Sequence, residues 1–246
     1  MPDEDGYFGE AVAAAYDEAE NPMFEPSVVE STVDFLASLA DHGRALEFGI
    51  GTGRIALPLA RLGIEVHGIE LSRAMVRRLQ AKPAGTGIPV TIGDFSSTTV
   101  AATFSLVYLV FNTIENLTSQ AAQVACFRNA AAHLEPGGCF VIEVAVPDLQ
   151  RLPPGERFVV FDASDRHWGI DEYDVANQGL VSHHFEIRGG SVHKSSGPFR
   201  YVWPAELDLM AQLAGLELHE RWADWNREPF TSDSRKHISV WRKPRA

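Results

Sequence analysis

The sequence predicts an α/β protein: a doubly wound, mostly parallel sheet with a small antiparallel sheet inserted late in the chain. Three observations carry this. Between residues 44 and 146 short apolar segments alternate with amphipathic ones, as strands and helices do when helices cover both faces of a parallel sheet. From about 155 to 203 the pattern becomes strand-rich. A chain of 246 residues is long enough for one large domain and short for two independent ones.

The elements follow in order. Val29, Val33, Leu36 and Ala40 form a helical stripe, and Pro26 stands where a helix can begin. "RALEF" is a short strand, followed by a loop with Gly49, Gly51 and Gly53. In "RIALPLARLG" Ile55, Leu59 and Leu62 share one helical face and Gly63 supplies a C-cap. Pro58 removes an internal hydrogen bond there and predicts a local distortion. "IEVHGIE" is a second strand ending at Glu70, and Ser72 caps a helix carrying Met75 and Leu79. "IPVTIGD" is a third strand ending at Asp94. "FSLVYLVF" is a fourth, whose near-continuous apolar character suits burial on both faces. Residues 118–134 form a helix with Val124, Phe127, Ala131 and Leu134 on one side, "EPGG" is a turn, and "CFVIEV" is a fifth strand.

In the insert, "GLVSHHFEIRGGSVH" reads as a hairpin around Gly189-Gly190. Val181, His183, Phe185 and Ile187 share one face; Leu180, Ser182, His184 and Glu186 share the other. Helix, strand and strand then return in "PAELDLMAQLAG", "LELHERWADW" and "HISVWRK". The expected division is an N-terminal helical cap over 1–43, an α/β core over 44–154, the inserted antiparallel sheet over 155–203, and the remainder of the core over 204–246.

Composition excludes some partners. The net charge of −12 argues against nucleic acid and anionic membranes, which want a basic face. The basic residues near the end (Arg235, Lys236, Arg242, Lys243, Arg245) read as a solvated terminus. Cys126 and Cys139 fall in apolar patterns and read as buried thiols. The acidic start lacks an apolar signal region, and the longest apolar run, "LVYLVF", is far short of a membrane span. A cytoplasmic protein is expected.

The glycine loop carries the chemistry. Glycines after the first strand of such a sheet let the backbone turn sharply and let a ligand approach closely. A dinucleotide site wants G-x-G-x-x-G beneath a pyrophosphate. Here the spacing is Gly49-x-Gly51-x-Gly53, position 54 is Arg, and Glu47 points a negative charge toward the loop. That acid suits a ligand bearing an amino group or a sulfonium.

With these residues the chain resembles the class I S-adenosylmethionine-dependent methyltransferases. "LEFGIGTG" looks like their first motif. The resemblance implies a Rossmann-like seven-stranded sheet. It also implies that S-adenosyl-L-methionine, leaving as S-adenosyl-L-homocysteine, is the cofactor. By the same resemblance Glu47, Gly49, Ile50, Gly51 and Gly53 line its methionine part, with Arg54 placed to meet its carboxylate. Glu70 matches the acid that binds both ribose hydroxyls, Leu71 and Met75 pack near the adenine, Asp94 receives the adenine amino group, and Phe95 gives a backbone contact. "VFNTIENL", with Phe111 and Asn112, matches the motif that faces the transferred methyl. "AAAYD" resembles the N-terminal helix of small-molecule N-methyltransferases, whose tyrosine reaches the methionyl end; Tyr16 is the candidate.

Residues 111–114, Phe-Asn-Thr-Ile, are not the Asn/Asp-Pro-Pro-Tyr tetrad of enzymes that methylate amide or base nitrogens. Glu115 stands alone rather than in an acidic cluster, so no metal is expected. The 155–203 insert lies where related enzymes carry a substrate lid, and the layout resembles the amino-sugar N-methyltransferases, in which it also makes homodimer contacts. Tyr16, His183 and His184 are the candidate catalytic groups. The two histidines alternate faces, so only one points into a cleft. Trp168, Tyr173, Tyr201, Trp203 and Trp225 are candidates for an acceptor pocket, and Asn226 and Arg227 for its rim. The expected partner is a small-molecule methyl acceptor with an N or O nucleophile. A peptide or protein N-methyltransferase shares every cofactor motif and stays open, as does a non-catalytic binder of the cofactor. An NAD-dependent oxidoreductase is disfavoured by the glycine spacing, Glu47 and Asp94.

Overall fold

The structure is a computed structural model that describes residues 6–17, 22–83 and 85–245; residues 1–5 of the expected N-terminal cap lie outside it. The helices are α1 (Glu10–Ala15), α2 (Pro26–Ala40), α3 (Ala56–Arg61), α4 (Arg73–Ala81), α5 (Gln120–His133) and α6 (Pro204–Leu213). Strands β1 (Ala45–Phe48), β2 (Val66–Glu70), β3 (Val90–Ile92), β4 (Phe104–Leu109), β5 (Leu134–Ala145), β10 (Glu217–Trp222) and β11 (Lys236–Arg242) form a seven-stranded sheet. Its order is β10-β11-β5-β4-β1-β2-β3, parallel except at β11, which runs antiparallel to β5 and β10. Strands β6 (Phe158–Ala163), β7 (His167–Asp174), β8 (Gly179–Arg188) and β9 (Ser191–Arg200) make a separate antiparallel sheet in sequence order. Among the described residues no helix is long and apolar enough to cross a membrane.

The large sheet is buried on both faces. Leu46 and Phe48 of β1 pack with Phe127, Phe140 and Met210 on the α5/α6 side. Ala45 joins Phe35, Leu36, Leu59, Tyr108 and Val141 on the α2/α3 side. This two-sided burial is why β1, β4 and β5 read as nearly unbroken apolar runs. Both cysteines are buried free thiols. The β8–β9 hairpin turns through Gly189 and Gly190, both with positive φ, as a two-residue turn between twisted strands requires.

Several expectations change. Helix α3 starts at Ala56, so Pro58 sits in its first turn, where a missing N–H has no intrahelical partner in any case. Leu62 is the helix C-cap and is exposed rather than on the buried face. The "EPGG" turn is an irregularity within β5: pairing with β4 jumps from Phe104–Leu134 to Leu106–Cys139. The basic end is not wholly solvated. Lys243 donates to the carbonyls of Ala131 and Leu134, and Lys236 reaches the buried Glu143.

Candidate active site

The carboxyl ends of adjacent strands β4, β1, β2 and β3 bear the predicted residues in that spatial order. Above β1 lies an open cleft lined by Tyr16, Glu47, Gly49, Ile50, Gly51, Thr52, Arg54, Val110, Phe111 and Thr113. Its floor is the glycine loop. Gly49 and Gly51 have φ of +70° and +55°, the left-handed region that favours glycine. A side chain at Gly49 would sit 2.7 Å from a methyl of Thr113, whereas Gly51 faces open space. Gly53 does not line the cleft; it lets the loop close onto Leu79 and Leu57.

Glu70 holds this floor in place. One carboxylate oxygen accepts from the backbone N–H of Gly51 at 2.8 Å, and the other from that of Ser72 at 2.9 Å. Ser72 caps α4 through Met75 and donates its hydroxyl to the carbonyl of Phe8, which draws the N-terminal segment in. Met75 is buried with Ala13 and Ala74 beneath Phe8, Val12 and Tyr16. Leu71 is exposed at the rim. Asp94 is exposed beyond β3 and accepts from the N–H of Ser96, while the Phe95 ring stacks on Phe48 in the core.

The charges around the cleft are distinctive. Glu47 is buried on an otherwise apolar strand and accepts from the Tyr108 hydroxyl at 3.0 Å. Burial pushes its carboxyl up to about 8, against the pull of the Tyr108 hydrogen bond and of Arg54. Arg54 lies across the rings of Phe24 and Phe111, 5.5 Å from each centroid, and donates to the carbonyl of Met23. A carboxyl group and a guanidinium thus share one cleft, the complement of a ligand end that carries both an ammonium, which would ionise the carboxyl, and a carboxylate. With the open face at Gly51 and the Glu70 carboxylate beside it, these residues fit the methionyl and ribose parts of S-adenosylmethionine. Tyr16 reaches the cleft with its hydroxyl raised to about 12, chiefly by burial, and so keeps its proton near neutral pH.

The far wall is strained. Phe111 and Asn112 both have φ of +58°, unusual for residues with side chains. The turn is fixed from below. The N–H of Phe111 donates to the buried Glu143, which also receives the Trp225 indole and Lys236, and Asn112 accepts from the N–H of Ala145. Glu143 was missed by sequence reasoning; its one signal was an acid inside the apolar "CFVIEV".

The next turn, Thr113–Asn116, carries Glu115 toward the small sheet. There Glu115 is not alone: Asp171 of β7 is near enough for its charge to act on it. Burial, then the like charge of Asp171, raises the Glu115 carboxyl to about 8. Asp171 is itself raised by burial, and its Oδ1 has no hydrogen-bond partner. Tyr173 stands beside them, its hydroxyl lifted to about 12 by burial and by Asp171 and Glu115, with its ring 5.8 Å from that of Tyr201. Neither His183 nor His184 lines the cleft. His183 bonds to Ser196 and Glu172, and His184 to His167 on the opposite face. Trp168 and Trp203 are exposed, Trp225 packs on Phe35, and Asn226 and Arg227 engage Ser31, Ser38 and Phe35. These last residues brace α2 and do not rim the cleft.

Known proteins match this geometry. A family model described as a methyltransferase domain matches residues 45–138. The CcbJ methyltransferase from Streptomyces caelestis superposes with a TM-score of 0.87 at 39% identity, over 98% of this chain and 99% of that one. Cypemycin N-terminal methyltransferase from a Streptomyces species is 28% identical over 89% of this chain and 98% of its own length. At 20% identity, the fold is also shared with SAM-bound CalS10, an amino pentose methyltransferase from Micromonospora echinaspora (TM-score 0.66, 98% of this chain and 99% of that chain).

Proposed function

The chain belongs to the S-adenosylmethionine-dependent methyltransferases, and we propose that it methylates an amine of a small-molecule acceptor. The observation that carries this reading is the Glu115–Asp171 pair, two half-buried carboxyls near the strained turn, of which Asp171 raises the Glu115 carboxyl through its like charge. When both are ionised such groups repel unless a cation lies between them. A protonated amine supplies that cation.

When bound, S-adenosylmethionine supplies a methyl group on a sulfonium that is already activated for displacement. In this reading Glu47 and Arg54 hold its amino and carboxylate groups, Glu70 its ribose and Asp94 its adenine. The chain's remaining task is to align the acceptor, exclude water and remove one proton from the ammonium. A carboxyl titrating near 8 matches that last task better than an ordinary one, because proton transfer works best when the catalytic group titrates near the working pH. Tyr173 and Tyr201 wall the acceptor site, and the β6–β9 sheet covers it as a lid.

A peptide N-terminus is the second reading. It is favoured by the cypemycin N-terminal methyltransferase, which this chain matches along nearly its whole length.

The test is methyl transfer from labelled S-adenosylmethionine to an amino-sugar methyl glycoside, an alanine tripeptide with a free N-terminus, and a phenol. Label should enter an amine, and Glu115→Gln should lower kcat/KM for it roughly 100-fold while leaving S-adenosylhomocysteine affinity unchanged. Label in the phenol alone would refute the amine reading. Preference for the tripeptide would select the second.

A further inference from the structure

We propose that the inserted sheet carries a proton relay, Asp171–Ser182–His184–His167–Asp162, which takes the proton released at the acceptor from the cleft to the surface. It rests on the amine reading, because methylating an ammonium liberates one proton per turnover.

The relay lies on one face of the sheet. Asp171 of β7 pairs directly with Ser182 of β8, and Gly169 pairs with His184. Ser182 stands directly opposite Asp171, near enough for its hydroxyl to pull the Asp171 carboxyl down, and lies 3.3 Å from Nε2 of His184. Nδ1 of His184 is 3.0 Å from Nε2 of His167, and Nδ1 of His167 contacts Asp162, whose side chain is 43% exposed. The chain of contacts therefore begins at the buried pair and ends at solvent.

The proton positions agree along the whole path. With Asp171 protonated, its hydroxyl donates to Ser182, Ser182 donates to His184 Nε2, His184 Nδ1–H donates to His167 Nε2, and His167 Nδ1–H donates to Asp162. One hop along each hydrogen bond leaves Asp171 as a carboxylate, His184 and His167 neutral in their Nε2–H forms, and Asp162 protonated. Every hydrogen bond survives with its polarity reversed. The exposed Asp162 then sheds that proton to buffer. One proton leaves the cleft, and nothing is oxidised or reduced.

The surroundings suit such a path. The Phe161 ring roofs the imidazoles, 5.4 Å from His184, and lies where Gly169 leaves room; a Cβ there would sit 2.1 Å from the ring. Burial, then the neighbouring His167, lowers the His184 pKa, with His183 acting the same way and Glu186 and Asp162 opposing. A neutral imidazole accepts at one nitrogen and donates from the other, as the path requires. Around Asp171 the charged or titratable groups are Glu115, Tyr173 and His183. His183, on the opposite face, takes no part.

The test reads the imidazoles by ¹⁵N NMR in the cofactor-bound protein. As Asp171 loses its proton, His184 should change from its Nδ1–H to its Nε2–H form. Asp171→Asn, which has no proton to titrate, should hold His184 in one tautomer throughout, and Ser182→Ala should uncouple His184 from Asp171. Identical titrations in all three proteins would overturn the relay, whatever the acceptor screen finds. With the amine probe that is turned over, Ser182→Ala should lower kcat roughly tenfold near neutral pH, leave KM unchanged, and recover with added imidazole. An unchanged kcat would also overturn it.

Discussion

The glycine loop and the inserted sheet are built on opposite terms. Around the loop most polar groups are matched inside the fold. Glu70 takes two backbone N–H groups, Tyr108 donates to Glu47, and Glu143 collects a backbone N–H, an indole and an ammonium. In the insert the strands are half-exposed, the inner face is polar, and Asp171 keeps an unpartnered oxygen. One region is closed around a ligand whose shape is fixed. The other leaves valences open. The difference predicts that a single added methyl is costly in one region and nearly free in the other.

The largest effect is expected at Gly53→Ala. Its φ is +81°, and the new Cβ would lie 2.4 Å from Leu79 and 3.2 Å from Leu57, both buried. The left-handed backbone costs about 1–2 kcal/mol, and overpacking about 1–3 kcal/mol more. Urea unfolding should show a loss in the combined range, with weaker S-adenosylhomocysteine binding because the loop cannot seat on α4. A variant as stable as the parent would mean that the loop is as loose as the insert.

The same contrast decides what could be read in advance. The seven-stranded core, the helix cap at Ser72, and the β8–β9 turn were legible because each rests on local geometry: apolar period, capping hydroxyl, paired glycines. The first motif was legible because backbone shape dictates which residues can form it. Glu115 with Asp171 was not, since the two are 56 positions apart and only the fold of the insert joins them. Nor was the His184–His167 contact, because a histidine on an alternating strand does not announce its cross-strand partner. Pro58 misled through its place in the helix: the same residue is disruptive in a helix interior and harmless in a first turn.

An intermediate effect is expected at Glu47→Gln, and it depends on pH. The folded-state pKa near 8 lies above the ordinary value of 4.5, so the folded protein holds this proton more tightly than the unfolded chain. The stability it contributes is fully present below 4.5 and is lost as pH rises through about 8, at up to about 1.4 kcal/mol per pH unit. The ligand-free parent should therefore lose stability between pH 5 and 8, and the glutamine variant should lose less. A cationic ligand should reverse this, since it stabilises the carboxylate. S-Adenosylmethionine affinity of the parent should rise with pH over the same range, and calorimetry should detect proton release on binding. Parallel stability curves for the two proteins would mean that Glu47 is already ionised in the empty cleft.

The smallest effect is expected at Gly169→Ala. The close approach there is more severe on paper than at Gly53, 2.1 Å to the Phe161 ring. Three differences make it cheap. Gly169 does not have the left-handed backbone that penalises a side chain. Phe161 is half-exposed and can swing into solvent, whereas Leu79 is fully buried. Replacing glycine also restricts the unfolded chain, which stabilises by about 0.4–1 kcal/mol and offsets the lost ring contact. The net change in urea unfolding should stay within about 0.5 kcal/mol. The displaced ring would nevertheless expose His184 to water, so its imidazole should titrate closer to the ordinary range in ¹⁵N NMR, while His237, buried in the large sheet, stays where it is. A loss comparable to that at Gly53 would show that the insert is packed as tightly as the cofactor loop, and the contrast between the two regions would fail.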